Sequence, residues 1–217
     1  MAIDAGLIQF LDWGTASSIT TSVGKVTGGT IVGDSAAVHR EAIGVQDKIV
    51  GGMIPYGGDA SIMVDNFDLL TYALRSGYTD PSLTDLTFAG GVMGDARQQT
   101  GCKINTLELS CAIGEPLTAN IGWLGTADAA YATAAKSYLT DTVFEWFMGV
   151  VTLNSASVQC QGFTLNINNN LEHIATLDSS SSGTMRDPDA IRIGSQEVSL
   201  SMDILTRPTS KIGRAHV

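Results

Sequence analysis

Four segments of this chain alternate apolar and polar residues with a period of two, the mark of a β-strand with one face buried and the other wet. Leu107, Leu109, Cys111 and Ile113 alternate with Glu108 and Ser110, and Leu117, Ala119, Ile121 and Trp123 with Thr118 and Asn120. Phe163, Leu165 and Ile167 alternate with Thr164, Asn166 and Asn168, and Val198, Leu200, Met202 and Ile204 with Ser199, Ser201 and Asp203. No Lys or Arg stands among these ten polar residues, although basic side chains commonly blunt exposed strands. The expectation is a mainly β fold in which four strands share one continuous hydrophilic, acidic face.

The segments around these strands are less regular. Residues 1–28 read as an N-terminal arm and a first strand, through the apolar stretch Leu7 to Trp13. From Gly29 to Gly58 glycine recurs around short β-branched pieces, which suits hairpins and loops. Asn66 to Ser76 carries Phe67, Leu70 and Leu74 at helical spacing, with Leu69 and Ala73 beside them. Asp65 or Asn66 is the natural N-cap of that helix and Gly77 its stop. The Ala-rich run Thr126 to Asp141 predicts a second, short helix. Leu171 to Gly194 is polar and joins the third and fourth alternating strands as a long excursion, a kind of segment that tends to carry function. Residues 29–211 are expected to form one β-domain, divisible into two related halves at about 29–80 and 84–211. Ile212-Gly213-Arg214-Ala215-His216-Val217 is the translation of a widely used sequencing-adapter string. Residues 212–217 are therefore read as adapter sequence and left out of fold reasoning.

Composition removes several function classes. A net charge of −10 does not suit a protein that holds nucleic acid by neutralising phosphates, while a negative surface that repels DNA and lets it pass stays compatible. The three cysteines, Cys102, Cys111 and Cys160, form no CxxC pair; they read as small core residues made in a reducing compartment. The apolar stretch Val143 to Val151 contains Glu145 and is too short to span a bilayer, so no membrane role is expected. Outside the terminal six residues the histidines are His39 and His173, in no metal-binding spacing. No nucleophile elbow, P-loop or dinucleotide fingerprint is present. No catalytic residue, metal or cofactor is assigned, and the chain is not expected to be an enzyme. An extracellular β-sandwich binding module would display aromatics, whereas Trp13, Trp123 and Trp146 all lie in apolar stretches.

Three segments carry a family resemblance. Gly101-Cys-Lys-Ile-Asn-Thr-Leu-Glu-Leu-Ser110 followed by Glu115-Pro-Leu-Thr-Ala-Asn-Ile-Gly-Trp-Leu124 resembles a strand pair of the major tail tube proteins of long-tailed, siphovirus-type bacteriophages. Gln161-Gly-Phe-Thr-Leu-Asn-Ile-Asn-Asn-Asn-Leu-Glu172 and Ile191-Arg-Ile-Gly-Ser-Gln-Glu-Val-Ser-Leu-Ser201 are similar to two later strands of that family. Gln196 departs from a frequent Arg and Leu200 from a frequent Gly. The resemblance implies a β-sandwich or barrel-like tail-tube fold with a flanking helix and long loops. It also implies a subunit that stacks as hexameric or pseudo-hexameric rings around a channel for DNA ejection.

On that plan Glu108, Ser110, Thr118, Asn120, Thr164, Asn166, Asn168, Ser199, Ser201 and Asp203 are the lumen-lining candidates. Glu172, His173, Asp178, Arg186, Asp187 and Asp189, on the excursion, are the inter-ring candidates. The implied partners are further copies of the chain, the tape measure and tail terminator proteins, and DNA that transits without specific binding. The implied location is the virion tail, after synthesis in the host cytoplasm. Another tube-fold tail component, such as a terminator, baseplate or sheath protein, is the alternative within the same fold.

Overall fold

The alternation from Leu107 to Cys111 belongs to a single strand of 18 residues, Asp95–Ala112, roughly 60 Å long if it ran straight, while Ile113 falls in the turn beyond it and is exposed. The computed structural model describes residues 10–205 apart from 16–18, 20, 23–24, 33–36, 43–44, 52, 76–81, 93–94, 133–141 and 176–186. In chain order its elements are β1 (Phe10–Thr15), β2 (Thr21–Ser22), β3 (Lys25–Val32), β4 (Ala37–Ala42), β5 (Val45–Gly51), β6 (Gly57–Met63), α1 (Asp68–Ala73), β7 (Leu86–Val92) and the long strand β8 (Asp95–Ala112). Then follow β9 (Thr118–Leu124), β10 (Ala127–Tyr131), a 3-10 turn (Trp146–Met148), β11 (Val151–Leu153), β12 (Ala156–Val158), β13 (Cys160–Asn168), β14 (Glu172–Ile174), β15 (Ala190–Arg192) and β16 (Glu197–Ile204).

All pairings are antiparallel, and β8 takes part in two layers. Its N-terminal half pairs with β7 and β10, giving the order β2-β1-β7-β8-β10. Its C-terminal half pairs with β9 and β13, giving β3-β6-β9-β8-β13-β16. The two layers face each other as a sandwich-like fold that does not close into a barrel, because β3 and β16 do not pair with one another. Phe88 of the first layer stacks on Trp123 of the second, ring centroids 4.5 Å apart, and both are at most 1% exposed.

The crossing of β8 is built around Gly101 and Gln99. Gly101 has φ +62°, a left-handed conformation costly to any residue with a Cβ, and a Cβ there would meet the Thr126 hydroxyl. Gln99, fully buried, accepts the Trp123 indole N–H at 2.8 Å and donates its amide to the Val32 and Gly57 carbonyls at 2.8 and 3.1 Å. One carboxamide thus ties the first layer to β3, β6 and β9. A buried polar group is tolerated only when its hydrogen bonds are made, and here three are.

A second buried amide holds the helix. Asn169 donates to the Ala73 and Ile104 carbonyls at 3.0 and 2.9 Å, and its oxygen accepts from Gln196 at 2.8 Å. Asn169 and Gln196 therefore serve as internal clamps between α1, β8 and the approach to β16.

Several expectations are corrected. The helix spans Asp68–Ala73 and buries Leu69 and Ala73, while Phe67 and Leu74, at its two ends, are 49% and 41% exposed. Six residues cannot present a full stripe, and the cap is Phe67 without a side-chain bond, although the Asn66 oxygen still accepts the Asp68 N–H at 3.2 Å. No helix begins the Ala-rich run: Ala127–Tyr131 is β10, paired with β8, because pairing with the neighbouring strand outweighs alanine's helix preference, which is high in rank but small per residue; residues 133–141 lie outside the described residues. Cys102 is buried, but Cys111 and Cys160 are half-buried. Trp146 is 44% exposed and not sequestered in an apolar core. The apolar residues of β16 are largely exposed: Val198 and Leu200 at 54% and Ile204 at 39%.

Replacing Gln99 with Leu preserves volume but strands the Trp123 indole N–H. Urea unfolding of Gln99→Leu is expected to show a loss of about 3 kcal/mol with the slope unchanged; a loss within error of zero would show that this clamp does not hold the layers together.

Candidate functional site

Strand register turns the alternation into a surface. Ser201, Thr164, Ser110, Thr118 and Met63 form one row across β16, β13, β8, β9 and β6. Ser199, Asn166, Glu108, Asn120, Ser61 and Gly28 form the next, continuing onto β3. Glu197, Asn168, Thr106, Gly122, Asp59 and Thr30 form a third. All ten residues proposed from the sequence fall on this one side, Asp203 next to the first row where it faces Gly162. Asn120, Asn166, Ser199, Ser201 and Asp203 are exposed, and the other five half-buried. Six strands at about 4.8 Å spacing make the face roughly 24 Å wide.

The polar groups of the face bond to one another along the rows. The Ser110 and Thr118 hydroxyls are 2.9 Å apart. Asn120 donates to Glu108 at 3.2 Å and accepts from Ser61 at 2.7 Å, and Thr30 donates to Asp59. Such cross-strand pairs fix rotamers and add to sheet stability. They also leave a surface whose hydrogen-bonding capacity is partly spent on itself. Its carboxylates are Asp59, Glu108, Glu197 and Asp203; the described register places two basic residues on it, both at its borders, Lys25 opposite Met63 and Lys103 opposite Leu124, where it forms an ion pair with Asp85. A phosphate backbone finds little to hold there.

The sequence reading missed the contribution of β3 and β6 to this face, namely Thr30, Asp59 and Ser61, and also Thr106 on β8. The signal existed: Ala60, Ile62 and Val64 are buried and alternate with Asp59, Ser61 and Met63. It was obscured by the glycines on either side. Thr106 was hidden because a bulge between Ile104 and Thr106 shifts the buried set of β8 from Cys102 and Ile104 to Leu107 and Leu109.

The excursion after β13 is anchored to the body. β14 and β15 pair with each other, and Glu172 forms an ion pair with Arg192 across them. The His173 ring lies 2.9 Å from the Gly125 carbonyl, and the Asp189 N–H donates to Ile174 at 2.9 Å. Asp187 accepts the Tyr56 hydroxyl at 2.6 Å. Asp178 and Arg186 lie outside the described residues. Tyr56 stands at the start of β6, just after the β4–β5 hairpin, and its carbonyl accepts the Gly125 N–H at 3.0 Å. Tyr56, His173 and Asp187 thus meet around Gly125, at the end of the second layer where β9 turns into β10.

Among the described residues no group of three His, Cys, Asp or Glu side chains is placed to hold a metal, and no helix is long and apolar enough to cross a membrane. The Cys102 thiol is pushed up to about 12, chiefly by burial, and burial also raises Cys111, so neither is poised as a thiolate nucleophile at neutral pH.

A family profile described as phage tail tube protein matches residues 6–211, nearly the whole chain. The chain belongs to the phage tail tube protein family. No curated protein matches it. As a tail tube protein it is a structural component of the phage tail, and self-assembly into a tube follows from the family. The resembling segments also acquire a physical explanation. Asn105 of the first segment receives the Leu171 N–H on its side chain and the Asn169 N–H on its carbonyl, each at 2.8 Å, so the first and second segments interlock. Gln196 of the third segment reaches Ala73 and Asn169 through hydrogen bonds of 3.1 and 2.8 Å.

The Tyr56 phenol is pushed from 10.0 up to about 12, first by burial and second by the Asp187 bond. An unfolded tyrosine ionises near pH 10 while the folded one keeps its proton, so the stability from this group is intact below pH 10 and is lost as pH rises toward 12. Tyr56→Phe is expected to reduce that alkaline loss and, at neutral pH, to speed amide exchange in 172–174 and 190–192 while β8 and β9 stay protected. Unchanged exchange in those segments would show that the Tyr56 bond does not hold the excursion.

Proposed function

We propose that this tail tube protein assembles as stacked hexameric or pseudo-hexameric rings in the tail of a siphovirus-type phage, with the polar face of the second layer lining the channel through which DNA is ejected. The observation that carries this reading is the continuity of that face: six strands, three rows in register, hydroxyls and amides bonded to each other, and carboxylates in place of the usual basic residues. A lumen must let a polyanion slide at low friction. Basic side chains would exchange condensed counterions for protein contacts and create sticking points, whereas a neutral-to-acidic lining avoids them.

Ring closure uses the two open edges. β3 and β16 both carry the polar face on the same side of the sheet, so joining β16 of one copy to β3 of the next continues the face and removes both unpaired edges. Such a contact is head-to-tail and closes into a ring when the rotation permits. The excursion 171–194, held to the end of the second layer through His173 and Asp187, is suited to contacts between successive rings. The tape measure and tail terminator proteins are the partners expected inside and at the end of such a tube. The role involves no chemical step and no cofactor.

Electron microscopy of the purified protein is expected to show hollow tubes or six-fold rings; a protein that stays monomeric at high concentration would overturn the assignment. Ser110→Lys together with Asn166→Lys is expected to leave tube formation intact and to lower the infectivity of a phage carrying both by tenfold or more, as ejection stalls. Full infectivity with Lys at both positions would place the lumen elsewhere.

A further inference from the structure

The two layers of the sandwich differ in width. The first layer and α1 cover the underside of β6, β9 and the second half of β8, where Ala60, Ile62, Leu107, Leu109, Ala119 and Ile121 are at most 5% exposed. One strand further out the cover thins: on β13 Ile167 is buried, but Phe163 and Leu165 are half-buried. On β16 it ends. Val198 and Leu200 are 54% exposed and Ile204 39%.

These residues belong to the same apolar face. Val198 lies opposite Ile167, Leu200 opposite Leu165 and Met202 opposite Phe163. An edge strand in water on both sides has no use for an alternating apolar set, yet β16 keeps strict alternation with Ser199, Ser201 and Asp203 on its other face. Beside this overhang stands the turn Trp146–Met148, with Phe147 64% exposed and Val150 75%; the groove between this turn and the sheet is floored by Cys111, Ile113 and Phe163. A contiguous apolar surface of this kind marks an interaction site.

We infer that the underside of β13 and β16 is the seat of a second copy of this chain, whose first layer, at its β1–β2 edge, supplies the missing cover. The occupant follows from the opposite edge of the molecule. There β1 packs beneath β3, and β2 is the outermost strand of the first layer. When β16 continues the sheet past β3 of a neighbour, its underside comes to lie over that neighbour's β1 and β2. The overhang on one flank and the underlying layer on the other are complementary halves of one two-layer wall. The inference rests on the ring reading for its edge-to-edge contact and adds to it the apolar interface beneath.

The test uses the full chain and two readouts. Val198→Thr with Leu200→Gln changes side chains already exposed in the monomer, so circular dichroism and melting temperature stay as in the wild type. The concentration needed for tube formation, read by sedimentation and electron microscopy, is expected to rise at least tenfold. Assembly at the wild-type concentration would overturn the inference. In parallel, Leu200→Cys is labelled with a maleimide and read at that position by peptide mass spectrometry. Labelling in the monomer with protection in the tube supports it. Equal labelling in both states overturns it, and so does protection already in the monomer, which would show another segment of the same chain as the cover. Should the wild type form no ring or tube, the ring reading fails separately. The inference then stands if sedimentation finds the wild type self-associating and the double variant monomeric, and falls if both are monomeric.

Discussion

The hydrogen bond between the Trp123 indole and the Gln99 carboxamide sits where β8 leaves one layer of the sandwich for the other, and the rest of the fold is arranged around that crossing. A strand of 18 residues shared by two layers carries polar backbone and side-chain groups through the centre of an apolar core. Each must find a partner there or cost roughly 1 to 3 kcal/mol. Gln99 provides partners for the indole and for the carbonyls of Val32 and Gly57. Gly101 supplies the left-handed turn, and Thr126 bonds across to the Thr100 carbonyl beside it. With the crossing fixed, β7 and β10 are committed to the first layer, and β9 and β13 to the second.

The division of labour among the polar residues follows from burial. Asn105, Asn169 and Gln196 face inward and bond to backbone, so their role is to hold α1, β8 and β13 in register. Ser61, Glu108, Ser110, Thr118 and Asn120 face outward and bond to each other across strands. The segments by which the chain resembles tail tube proteins contain both kinds. The inward residues fix the distances between these segments in this chain, since an amide clamp tolerates little displacement. The outward ones explain why the face can be smooth and uncharged-to-acidic.

Much of the second layer was legible in the sequence because its strands are one-sided. Where burial is one-sided, hydrophobicity repeats every two residues, so four alternating segments mark β8, β9, β13 and β16, while their pairing is seen only in the structure. The first layer was harder to read. Leu86, Thr87, Phe88 and Ala89 are all buried, so β7 shows no alternation, and the two register shifts of β8 and β7 break the periodic signal upstream of Leu107. The same limit misread Ala127–Tyr131, whose alanines say helix by local preference while the adjacent β8 edge imposes a strand.

By itself the sequence determined the mainly β character, the one-sided strands, the identity of the ten polar residues on their wet face and, through ordered segments, the family. These are local properties, written in periodicity and in the order of residue types. Only the tertiary structure decided how far the face extends, since Thr30, Asp59 and Ser61 join it through the pairing of β6 with β9, and that pairing links residues some sixty positions apart. It also decided which apolar residues are covered. Val198, Leu200 and Trp146 look like core in the chain and lie at the surface of the subunit, because coverage depends on the width of the opposing layer, a quantity that no stretch of neighbouring residues encodes.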